Sequence, residues 1–76
     1  MPRYFFHVYE GETVITDKEG VELADNGSAI EEARSAAREI LADAVAKGTS
    51  PNGRRIEVAD GDGKTVYSLM LSELLK

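Results

Sequence analysis

The chain has 76 residues, 42% of them hydrophobic and 30% charged, which suits one small globular domain and excludes a disordered chain. It has no cysteine, so disulfides, thiolate metal sites and thiol catalysis are excluded. Lys and Arg number 9 against 14 for Asp and Glu, and the resulting net charge of -5 repels phosphate backbones and anionic lipid.

No apolar run approaches the ~18 residues of a membrane span. Met1 to His7 turns polar too soon for a signal peptide. The expectation is a soluble cytoplasmic protein with no membrane partner.

Arg3 to Tyr9 is rich in aromatic and β-branched residues and predicts a strand. Glu10-Gly11 predicts a tight turn, and Glu12 to Asp17, with Thr13, Val14, Ile15 and Thr16, predicts the second arm of a hairpin. Asp17 to Gly20 reads as a turn, followed by a short extended piece, Val21 to Leu23, and a break at Asp25-Asn26-Gly27. Ser28 and Glu31 fit a capping box opening a helix. Ile30, Ala33, Ala37, Ile40, Leu41, Ala44 and Val45 then form one helical stripe, which Gly48 ends with a left-handed cap and Pro51 prevents from resuming. Thr49 to Gly53 is a loop. Arg54 to Asp60 predicts a third strand, Asp60 to Gly63 a hairpin turn, and Lys64 to Leu71 a fourth strand. Ser72 to Lys76 reads as one helical turn or a frayed tail.

The order β-β-α-β-β predicts a single α+β domain over 1–76. Its architecture is a two-layer sandwich, one long helix on an antiparallel four-stranded sheet. In the first hairpin a two-residue loop at Glu10-Gly11 pairs His7 with Val14. One side then carries Tyr4, Phe6, Val8, Thr13 and Ile15, the better helix-facing candidates. The other carries Phe5, His7, Tyr9, Val14 and Thr16 and is far from polar, although a strand with one wet face should alternate. The fourth strand is apolar on both sides as well. Its register stays open: a three-residue loop pairs Val58 with Val66, and a two-residue loop pairs Ile56 with Tyr67. Strands one and four are therefore expected to be central. The far face is expected to be covered by a second copy or another protein, covered by Leu74 and Leu75 of the tail, or left as an open apolar patch that would itself mark an interaction site.

Pro2-Arg3-Tyr4-Phe5-Phe6-His7, Asp17, Gly20-Val21-Glu22-Leu23, Asp25, Ala36-Ala37-Arg38-Glu39, Ile56-Glu57-Val58, Asp60 and Gly63 together carry a resemblance. The chain is similar over nearly its whole length to a family of small bacterial proteins of unknown function that open with the same aromatic-histidine strand. Ser28 and the tail after Met70 match less well. The resemblance implies a bacterial intracellular protein and implies no activity.

His7 is the sole histidine, and general acid-base work would need Glu12 or Asp17 beside it. The plainer reading is a structural histidine bonded to backbone or to a cross-strand carboxylate. Asp60-Gly61-Asp62-Gly63 resembles the start of a calcium loop but has Lys64 at the fifth ligand position and Leu71 at the twelfth, so it reads as a turn. The glycines do not form a phosphate cradle, because none follows a strand and opens a helix with a Lys-Ser/Thr pair. Arg54 and Arg55, with or without Arg3, would give a basic edge beside Phe5, Tyr9 and Tyr67. The single-strand RNA motif is absent, and pairing with acidic neighbours is the simpler role. The sequence thus predicts a non-enzymatic interaction module, without cofactor, metal or evident small-molecule substrate. It would bind itself or a small protein through Phe5, His7, Tyr9, Tyr67 and Leu69. A nucleic-acid-binding accessory protein is the alternative.

Overall fold

The structure, a computed structural model, describes residues 1–49 and 53–75. Pro51, most of the loop expected before Gly53, Lys76 and the side chain of Leu75 lie outside the described residues. Arg3–Glu10 form the longest strand, β1. After a turn with Gly11 at φ +62°, β2 (Thr13–Ile15) pairs antiparallel with it, Tyr9 opposite Val14 and Val8 opposite Ile15. This register is two residues away from the expected pairing of His7 with Val14. An even shift keeps every side chain on its side, so the assignment of faces in this hairpin survives.

The extended piece after Gly20 is a strand in its own right, β3 (Val21–Glu22), paired with the first residues of β1. The sheet therefore has five strands, not four, in the order β2-β1-β4-β5 with β3 also on β1. β4 (Arg54–Ala59) lies between β1 and β5 (Thr65–Met70), so β1 and β4 are central. The expectation that the fourth predicted strand is central is corrected: β5 is an edge.

A bulge explains why that pattern misled. Val58 pairs with Tyr67, yet Ala59 pairs with Thr65, which leaves Val66 as an extra residue. An inserted residue reverses the side to which all later side chains point. Tyr67, Leu69 and then Leu71 consequently face the helix, while Ser68 and Met70 face away.

Helix α1 (Asn26–Ala46) begins two residues before the expected Ser28. Its cap is Asp25, in extended conformation, whose carboxylate accepts the Ser28 amide at 2.8 Å. A carboxylate both bonds the free amide and meets the positive end of the helix dipole. Hydrogen bonds from the Ser28 amide and hydroxyl hold the Asp25 carboxyl below its ordinary value. At the other end Gly48 takes φ +72°, as expected of a left-handed cap. The buried seam is Ala29, Ala33, Ala37 and Ala44, and Val45, expected in the stripe, is 66% exposed. The wide side chains Ile30, Ile40 and Leu41 flank that seam and are half-buried.

The seam rests on Ile56, Val58, Leu69 and Leu71, with Tyr4 at one end. Tyr4 is buried, and its hydroxyl donates to Asn26 Oδ1 at 2.7 Å, tying β1 to the start of the helix. Leu71–Leu75 form a 3-10 helix that packs on α1, β4 and β5, with Leu71 and Leu74 in the same core. The tail thus joins the helix layer. The expectation that it covers the opposite face is corrected.

With alanine at the contact, added bulk has no space to enter. Ala33→Leu is expected to lower stability by about 1–3 kcal/mol in urea unfolding, although Leu is a good helix former. Ala42→Leu, at an exposed position of the same helix, is expected to stay within about 0.5 kcal/mol.

Candidate functional site

Both helices pack on one side of the sheet, and the registers define what the other side presents. One row runs across β2, β1, β4 and β5 as Val14, Tyr9, Arg55 and Met70. The next holds His7, Glu57 and Ser68, and the third Phe5, Ala59 and Thr65. Val14 is 47% and Met70 42% exposed, while Phe5, His7 and Tyr9 are half-buried. The Arg55 guanidinium lies 4.1 Å from the centre of the Tyr9 ring. It also approaches the Glu57 carboxylate at 3.7 Å. The first row is thus an apolar strip with a single cation stacked on its aromatic member.

Phe5, His7 and Tyr9 stand where the sequence placed them, on the far face. Tyr67 and Leu69 do not. Leu69 is 3% exposed beneath the helix, and Tyr67 is half-buried on the helix side, where its hydroxyl accepts from Arg34 at 3.4 Å. Met70 takes their place on the open side. Of the two registers the sequence leaves open, the one pairing Ile56 with Tyr67 has this side assignment, and the one pairing Val58 with Val66 reverses it.

One end of this face is held by Asp17. Between β3 and β2 the outer edge of β1 has no strand partner, and the Phe6 amide there donates to Asp17 Oδ2 at 3.1 Å. Asp17 Oδ1 accepts from the Glu19 amide at 3.2 Å and from the Gly20 amide at 3.1 Å. The Asp17 amide donates to His7 Nδ1 at 3.1 Å. His7 is therefore a histidine bonded to backbone, and its neighbour is the Asp17 main chain. Burial pushes the Asp17 carboxyl up, but the three amides and the nearby imidazole outweigh it and hold the carboxyl below its ordinary value. Gly20 sits tight on β1: at φ +71° a Cβ there would lie 2.8 Å from the Tyr4 carbonyl oxygen and 2.9 Å from the Phe5 ring.

The expected pairing of the arginines is present. Arg54 lies 3.8 Å from Glu10, and Arg3 lies 3.1 Å from Glu22. The Asp60 segment is a turn, its carboxylate accepting the Asp62 and Lys64 amides at 2.9 and 3.0 Å. On the helix side, α1 packs on β4 and β5, and a groove of about 440 Å³ remains beside β1 and β2, floored by Val8, Ile15 and Ile40. On its charged rim Lys47 pairs with Asp43 at 3.1 Å and Arg54 with Glu10, and Glu39 also lines it. No helix among the described residues is long and apolar enough to cross a membrane.

One helix layered on an antiparallel sheet defines a small two-layer α+β domain. The chain belongs to the family described as a domain of unknown function, DUF6894, whose model matches residues 3–72. No curated protein and no solved structure matches it.

Asp17→Ala is expected to cost about 1–2 kcal/mol at neutral pH, toward the lower end for charged hydrogen bonds because the carboxylate is partly solvated. A carboxyl held low in the folded state stabilises above its unfolded value and loses that effect as pH falls through the folded one. The gap between wild type and Asp17→Ala, read by urea unfolding, is therefore expected to hold at neutral pH and shrink below about pH 4. Gly20→Ala is expected to cost about 2 kcal/mol or more, since it adds both a strained φ and a backbone clash.

Proposed function

We propose that the chain is a non-enzymatic protein-interaction module that self-associates through the far face of its sheet. The observation that carries this reading is the row Val14, Tyr9, Arg55 and Met70, which crosses four strands on the side opposite both helices. Phe5 and His7 border it on β1. Two copies related by a two-fold axis bring the same strip against itself, and each added apolar square ångström removed from water contributes about 25 cal/mol. The stacked Tyr9-Arg55 pair is of the kind enriched at the centres of protein interfaces. A bacterial cytoplasmic setting belongs to the same reading and rests on the resemblance carried by the opening strand.

The nucleic-acid alternative has less support. Arg3, Arg54 and Arg55 each face an acidic partner, and Arg55 occupies the ring on which a base would stack.

Sedimentation equilibrium is expected to show a species of twice 8.3 kDa that dissociates on dilution. Because each copy carries a net charge of -5, added salt is expected to strengthen association. Nucleic-acid binding would weaken with salt instead. Met70→Glu, at an exposed position, is expected to weaken association about tenfold or more, with the urea midpoint unchanged at dilutions where both proteins are monomeric. A monomer persisting at the highest concentrations would refute this reading.

A further inference from the structure

His7 faces two kinds of partner with opposite demands. Its Nδ1 accepts the Asp17 amide at 3.1 Å, which requires a lone pair on that nitrogen and so a neutral ring protonated at Nε2. Directly opposite on β4 stands Glu57, and the Asp17 carboxylate closes the other side. Both carboxylates are acceptors, to which a ring N–H would donate. Glu57 also takes the Thr65 hydroxyl at 2.9 Å and faces Arg55. Along the chain Tyr9 follows two residues on in β1, the exposed Lys18 and Glu19 follow Asp17 in the turn, and β5 contributes Ser68 to this row.

We infer that His7 is an acid-sensitive latch: its unprotonated Nδ1 holds the 17–20 turn on β1, and the imidazolium releases the Asp17 amide and re-aims at Glu57. On protonation two N–H donors would point at each other, so the ring must leave that bond. The turn keeps the carboxylate bonds to Phe6, Glu19 and Gly20 but loses the bond that fixes its first residue. His7 here is a positioning residue. The latch operates within one chain and does not rest on self-association.

The test is nitrogen NMR of the His7 ring with amide exchange on the full chain across its titration. The expected result is the Nε2–H tautomer when neutral. As the ring protonates, Asp17 amide exchange, corrected for its intrinsic pH dependence, should rise about tenfold while the Ile56 and Leu69 amides stay protected. His7→Phe should give fast Asp17 exchange at every pH. Should that variant fail to fold, the wild-type tautomer and the wild-type Asp17 exchange decide. An Nδ1–H tautomer, or Asp17 exchange that does not follow the ring, would overturn the latch.

Discussion

The alanine seam of α1 governs how the sheet is used. Ala29, Ala33 and Ala37 end at Cβ, so the helix lies close on the sheet and is fitted to it chiefly at β4 and β5. Ile56, Val58, Leu69 and Leu71 fill the space beneath, and the 3-10 helix closes the end. A single helix of this kind serves one side only. The side chains on the reverse of the same strands must meet water, each other or another molecule. In Tyr9, Val14 and Met70 they keep an apolar character that water alone does not favour.

The second constraint is the broken outer edge of β1. Two short strands share that edge, and the gap between them leaves the Phe6 amide in need of an acceptor. Asp17 supplies it, and in doing so folds the 17–20 turn back against β1. Gly20 is required there because a Cβ at this position would lie 2.8 Å from the Tyr4 carbonyl oxygen. His7 completes the arrangement from the far face. A residue that looks catalytic in isolation thus becomes intelligible as part of a backbone-satisfying cluster.

Much of the fold was legible where local chemistry decides it. The aromatic opening of β1, the side assignment of the first hairpin, the helix, the left-handed Gly48 and the Asp60 turn all follow from residue type and period. The cap is Asp25 and not the expected Ser28, because its carboxylate both bonds the free Ser28 amide and meets the positive end of the helix dipole. β3 was read only as an extended piece because two residues carry no period. The side of β5 was left open between two registers, and the pairing of whole strands, with Val66 inserted, decides it. That one residue moved Tyr67 and Leu69 from the candidate surface into the core and put Met70 in their place.

A soluble paramagnetic probe that relaxes side-chain methyls, applied at low and high protein concentration, tests the account directly. The Val14 and Met70 methyls are predicted to be strongly relaxed in dilute protein and shielded when concentrated, with the Leu69 methyls shielded throughout. Equal accessibility of Val14 and Met70 at both concentrations, or accessible Leu69 methyls, would contradict it.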